Sequence, residues 1–138
     1  MTRINALLSA VMMVESGGDP NKIGDHGQAI GVLQIRPCMV EECNRILGCP
    51  RHFTLADRKS TSASRAMFRV YMSRWGRGKN LEVMSRRWNG GPMGEKRIAT
   101  KIYWRKVQRE IKCLKNHQRD VIGGPRRTQH PARGRGDN

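Results

Sequence analysis

The chain has 138 residues, enough for one domain and too few for two ordinary ones. Hydrophobic residues make up 37% and glycine adds 15 positions, which excludes wholesale disorder, and no apolar run approaches the ~20 residues of a bilayer-spanning helix. A formal charge of +16 points to polyanionic partners: nucleic acid, anionic membrane surfaces or acidic wall polymers.

In chain order, Leu7, Val11 and Val14 fall at i, i+4 and i+7, with Ala6, Ala10 and Met13 alongside, so residues 5–15 are predicted to form a largely buried helix. Ser16-Gly17-Gly18-Asp19-Pro20 ends it, because two glycines and a proline do not extend a helix. Residues 21–31 are polar and broken by glycines, a loop or a small hairpin. Ile30 to Ile35 is a short apolar run that suits a strand or the start of a helix. Pro37 opens a second helix carrying Val40, Cys43 and Leu47 on one side.

Thr54 and Asp57 have the spacing of a capping box, and a further helix covers Ser64 to Trp75 with Met67, Val70, Tyr71 and Trp75 inward. Leu81, Met84 and Trp88 make a short helix that stops at Asn89-Gly90-Gly91-Pro92. The longest helix is expected from about Gly94 to Leu114, with Ile98, Ile102, Val107, Ile111 and Leu114 facing the core. Residues 119–138 hold four glycines, two prolines and five arginines, the composition of a disordered basic tail. The expected architecture is a mainly α, α+β domain over residues 1–118, with at most a small β-hairpin near residues 21–35, followed by that tail.

The charge is uneven. Residues 1–50 hold four basic side chains against five acids, a net of −1, so residues 51–138 carry +17. The N-terminal apolar patch before Glu15 is too short for a signal peptide and lacks a small-residue cleavage site, so no signal peptide is expected. Cys38, Cys43, Cys49 and Cys113 allow three disulfide pairings, or none in a reducing compartment. With His52 the first three read C-x4-C-x5-C-x2-H, which fits no common zinc spacing, and no metal site is expected.

Glu15 ends the first helix beside a glycine-rich turn. The negative end of the helix and an apolar shell both disfavour its charged form, and a carboxylic acid kept protonated can donate a proton to a leaving oxygen. The near-neutral first third should keep cations away from it. Asp25 follows within Gly24-Asp25-His26-Gly27, where glycines permit sharp turns and close ligand approach. Gln34 offers an amide beside an apolar run, suited to sugar hydroxyls or an acetamido group. Two carboxylates bracketing one cleft are the requirement of glycoside cleavage.

The segments ESGGDP at 15–20, GQAIGVLQI at 27–35 and WNGGP at 88–92 together resemble the lysozyme-like family of soluble lytic transglycosylases and goose-type lysozymes. The resemblance spans roughly residues 5–110. It implies that Glu15 is the catalytic acid, that Gly31 and Gln34 belong to the substrate-cleft motif, and that Asn89 is the asparagine of the later motif. The family's tyrosine there is Trp88, which keeps an aromatic ring and lacks the hydroxyl. Gly24-Asp25-His26-Gly27 is similar to the goose-type segment whose aspartate positions water, while Arg36 stands roughly where a second aspartate belongs. Asp25 therefore favours hydrolysis, and the missing acid leaves open the transglycosylase route, in which the muramyl 6-hydroxyl attacks in place of water.

The resemblance further implies cleavage of the β-1,4 bond between N-acetylmuramic acid and N-acetylglucosamine, with peptidoglycan glycan strands as substrate and no cofactor. Anionic cell-wall polymers are the expected partners of the basic remainder. Small size and basicity suit a bacteriophage protein, held in the virion or the host cytoplasm before delivery to the wall. Two other classes fit part of the sequence: a nucleic-acid-binding module using the basic residues and interleaved aromatics, and a non-catalytic virion structural protein. No helix-turn-helix, zinc-finger or RNA-recognition signature supports the first, and an intact Glu15 speaks against the second.

Overall fold

The computed structural model describes residues 2–122, in the order α1 (Arg3–Ser16), β1 (Ile23–Gly24), β2 (Ala29–Ile30), α2 (Pro37–Leu47), α3 (Thr61–Trp75), α4 (Leu81–Gly90) and α5 (Ala99–Ile122). Single 3-10 turns at Asp25–Gly27, Leu55–Lys59 and Gly94–Lys96 connect some of them. The mainly helical α+β expectation holds, and the hairpin lies where residues 21–35 placed it.

Thr2 starts α1 by accepting a hydrogen bond from the Asn5 amide, and Gly17 ends it in the left-handed conformation. Leu7, Leu8, Ala10 and Val11 are fully buried in the middle of the domain. α5 packs along α1 and α4, while α2 pairs with α3. β1 and β2 are antiparallel, Ile23 opposite Ile30 and Gly24 opposite Ala29. The apolar run after them is neither strand nor helix for most of its length: Val32, Leu33 and Ile35 bury themselves in a tight loop closed by a bridge between Ile30 and Ile35.

Two buried polar devices fix the remaining connections. Asn44 on α2 donates to the carbonyls of Pro50 and Phe53 and accepts from the Phe53 amide, so one side chain ties down the loop that follows the helix. Arg86 on α4 donates to Glu82, to the Thr100 hydroxyl and to the Arg97 carbonyl, and Arg87 makes a two-pronged pair with Glu95. That pair holds the Glu95 carboxyl down at about 2. Together they lock the turn between α4 and α5, on which one wall of the cleft depends. The capping box is present, with the Thr54 amide donating to Asp57 at 2.8 Å, although it opens a 3-10 turn ahead of α3.

α5 corrects the sequence reading at both ends. Its packed side is Tyr103, Val107 and Ile111, with Leu114 partly covered, whereas Ile98 and Ile102 are 81% and 59% exposed. Ile98 precedes the first helical residue, and Ile102 lies one residue, about 100° of arc, from the stripe that Tyr103 and Val107 define. The helix also continues to Ile122, four residues into the segment expected as tail; the rest of that segment lies outside the described residues. The four cysteines are unpaired thiols. No helix among the described residues is long and apolar enough to cross a membrane.

Candidate active site

The C-terminal end of α1, the hairpin loop, the start of α2 and the end of α4 enclose a cleft of about 700 Å³. Its lining includes Glu15, Lys22, Asp25, Gln34, Arg36, Trp88, Asn89 and Arg97. Residues separated by as many as 82 positions in sequence thus meet in one depression.

Glu15 is half-buried, and that burial raises its carboxyl above the ordinary value. Tyr103, Lys22, Arg36 and Lys106 pull the other way, and burial outweighs them. The absence of cations expected from the sequence is therefore corrected: three come near Glu15, two from the near-neutral segment itself and one from α5. Lys22 also donates to the Glu15 backbone carbonyl at 2.7 Å, supplying the end of α1 with the positive charge its dipole favours. The Tyr103 hydroxyl is buried without a fully formed hydrogen bond to any described group. The group it acts on is the Glu15 carboxyl; burial first, and the Glu15 charge after it, raise the phenol well above its usual value.

Ser16 fixes the position of Glu15. Its hydroxyl donates to the carbonyl of Val32 at 2.7 Å and to Met12 at 3.1 Å, stitching the last turn of α1 to the buried loop. The same loop sets Gln34, whose amide donates to the carbonyls of Lys22 and Gly31 at 3.0 and 2.9 Å. With its nitrogen committed to the backbone, Gln34 keeps its carbonyl oxygen beside Gly24, where even a Cβ would lie 2.3 Å from that oxygen. Gly24 is needed for this close approach.

Asp25, His26 and Gln34 all have positive φ, at 52°, 54° and 50°, a conformation that costs of order 1 kcal/mol or more for each non-glycine residue. All three lie in the segment that frames the cleft. Asp25 is exposed at the cleft edge and ion-paired with Arg36 from the other side of the buried loop. Trp88 and Asn89 are neighbours at one helix end and differ in burial. Asn89 is exposed in the cleft, while Trp88 is 94% buried, its ring against Phe68 and Tyr71 at centroid distances of 4.9 and 5.5 Å. Trp88 is thus chiefly core, with an edge in the wall.

Gly31 alone of the expected residues is absent from the lining. It is buried with φ at +83°, and a Cβ there would lie 1.9 Å from the carbonyl oxygen of Arg58. Its place is behind the cleft, where the buried loop touches the 3-10 turn at Leu55–Lys59.

A lysozyme from Magallana gigas is 31% identical to the chain over 114 residues, covering 77% of this chain and 79% of the relative. The chain belongs to the lysozyme family. Among solved structures, a chain in the complex of Aeromonas hydrophila PliI with Meretrix lusoria lysozyme superposes with a TM-score of 0.63. It is 29% identical and covers 75% of this chain and 87% of that one. The inhibitor-bound lysozyme from Meretrix lusoria superposes equally, with a TM-score of 0.62. No protein-family profile matches the chain.

Sequence reasoning missed several residues of this lysozyme-family cleft. Tyr103 reads as one more apolar position of an amphipathic helix, and nothing local marks its hydroxyl. Lys22 and Arg97 are ordinary loop cations in sequence. Arg36 was visible only as the wrong residue for a second acid, and its partner Asp25 could have been sought on that ground. Among the described residues no group of three His, Cys, Asp or Glu side chains could hold a metal ion.

Proposed function

We propose that the protein is a peptidoglycan-cleaving muramidase that cuts the β-1,4 bond between N-acetylmuramic acid and N-acetylglucosamine, with Glu15 as general acid. The observation that carries this reading is a carboxyl pushed up by burial, at the floor of a cleft that also holds Asp25, Gln34 and Asn89. The family membership supports the substrate class.

In this reading Glu15 protonates the bridging oxygen as the bond to the muramyl C1 breaks, and positive charge develops on the sugar. Gln34 and Asn89 hold the sugar's amide and hydroxyl groups. In hydrolysis a water adds to C1 and gives up its proton to the conjugate base, leaving a reducing end. The second reading is the lytic transglycosylase route, in which the muramyl 6-hydroxyl adds to C1, its proton returns to Glu15 and a 1,6-anhydro end results. The ion pair between Asp25 and Arg36 leaves that route in view, because the guanidinium takes up part of the acceptor capacity with which Asp25 would hold water. The finer affiliation with goose-type lysozymes and transglycosylases rests on the ESGGDP, GQAIGVLQI and WNGGP segments, and a bacteriophage setting on small size and basicity.

The test is clearance of purified cell walls. Wild type should clear them, and Glu15→Gln should lose about 10²–10⁴-fold in rate, the usual contribution of a general acid. Equal clearance by wild type and variant would remove Glu15 from the mechanism. Mass spectrometry of the released muropeptides then separates reducing from 1,6-anhydro ends. Asp25→Asn should slow the reaction only if reducing ends dominate.

A further inference from the structure

The outward side of α5 carries a row of cations for which cleft chemistry has no use. Lys101, Arg105, Arg109 and Lys112 are all exposed, and none takes part in an ion pair among the described residues. At 3.6 residues per turn they fall within roughly 80° of arc, opposite the packed side of Tyr103, Val107 and Ile111. A rise of 1.5 Å per residue spaces them roughly 4.5–6 Å apart along about 16 Å of helix.

A solvated helix face ordinarily alternates charges, so that acids three or four residues away offset each base. This one does the opposite. Lys101, Arg105 and Arg109 follow one another at i, i+4 and i+8, and Lys112 comes three residues after Arg109, with no Asp or Glu three or four residues from any of them. Glu110 is half-buried toward the packed side, and Asp120 lies more than two turns beyond Lys112. Such a row weakens its own helix by repulsion until an anion covers it. Tyr103 lies on the packed side, and Trp104, partly covered by the core, neighbours only the Lys101 end of the row, so no series of rings accompanies the cations for base stacking. A duplex would moreover present two phosphate rows across a groove of about 12 Å, against one row of cations here.

We propose that this ridge binds a linear polyphosphodiester of the cell wall, of the poly(glycerol phosphate) type, and holds the enzyme on its insoluble substrate. The choice of wall polymer over nucleic acid rests on the peptidoglycan reading above; the ridge itself does not. One flexible chain with regularly spaced phosphates follows a single row of four cations along the helix. Lys106, on the same helix, acts on Glu15, so the ridge and the cleft share one rigid element.

Binding of the full chain to fluorescent poly(glycerol phosphate), measured by anisotropy between 50 and 200 mM NaCl, tests this. Four phosphate contacts predict a slope near −2.8 in log K against log salt from the ridge, about a 50-fold loss over that range. Lys101→Gln, Arg105→Gln, Arg109→Gln and Lys112→Gln combined should remove most of that slope and weaken binding at least tenfold at 50 mM. A matched control, Arg3→Gln, Arg51→Gln, Arg77→Gln and Lys79→Gln combined, should stay within threefold of wild type. If the ridge variant melts early, its two halves are measured separately, each expected to remove about half of the slope. Equal weakening by both combinations would overturn the proposal in favour of net charge. Tighter binding of duplex DNA, or of phosphatidylglycerol vesicles, through the same four residues would overturn the choice of partner. Glu15→Gln should bind the polymer as wild type does, so a chain that binds without cleaving would fail the activity reading and leave this one standing.

Discussion

Two opposed forces set the proton on Glu15. Burial favours the neutral acid, whereas Lys22, Arg36 and Lys106 favour the carboxylate and Tyr103 assists them. Arg36 acts on both carboxylates of the cleft, pairing directly with Asp25 and reaching Glu15 through its field. Arg36→Gln should therefore do two separable things. Loss of a cation raises the Glu15 value further, so the acid stays protonated to higher pH and the alkaline limb of the rate profile moves upward. Loss of the ion pair frees Asp25 to leave its place, which costs up to about 10²-fold in kcat if that carboxylate takes part. Arg36→Lys should restore most of the limb and only part of kcat, because a point charge replaces a planar fork. An unmoved limb in Arg36→Gln would mean that its charge does not reach Glu15.

At the scale of elements, the buried loop from Gly31 to Ile35 does the positioning. It receives the Ser16 hydroxyl, carries Gln34 and brings Arg36 round to Asp25. Gly31 lets it lie against the 3-10 turn at Leu55–Lys59, and Gly31→Ala combines a left-handed φ with a 1.9 Å clash against backbone. The expected cost is at least about 2–3 kcal/mol, from backbone strain together with overpacking. Chemical denaturation would measure it, and a loss below ~1 kcal/mol would mean that the loop and turn part easily. The end of α1, the hairpin and the WNGG stop of α4 were legible because glycines and an apolar period of 3.6 are local signals. Gly31 was legible as a required glycine, but its reason was not, because the carbonyl that excludes a side chain lies 27 residues further on at Arg58. Tyr103 was hidden for a related reason: periodicity reports which side of a helix is buried, not which buried hydroxyl meets an acid. The same limit misplaced Ile98 and Ile102, since an i, i+4 pair of isoleucines looks inward until packing selects the neighbouring stripe.

For the whole molecule, charge and chemistry occupy different parts of the chain and meet at α5. Residues 1–50, net −1, supply both carboxylates of the cleft, and of the basic residues among 51–122 only Arg97 lines it. Salt should consequently separate capture of the substrate from its cleavage. Exposed cations acting on a polyanionic wall are screened over a Debye length that falls from about 10 Å at 0.1 M toward 3 Å at 1 M, whereas groups enclosed in a cleft are screened far less. With wall suspensions below saturation, kcat/KM should drop by roughly 10-fold or more between 50 and 200 mM NaCl, as counterion release predicts for several phosphate contacts. With a short neutral N-acetylglucosamine oligomer, which carries no charge for the basic surface to hold, the same change should move kcat/KM by less than about twofold. Parallel falls on both substrates would place the salt effect at Glu15 and its neighbouring cations, and the basic surface would then have no part in capture. A fall confined to the wall substrate, and diminished in the ridge variant of α5, would place capture on that helix face and leave the cleft to act on whatever the face retains.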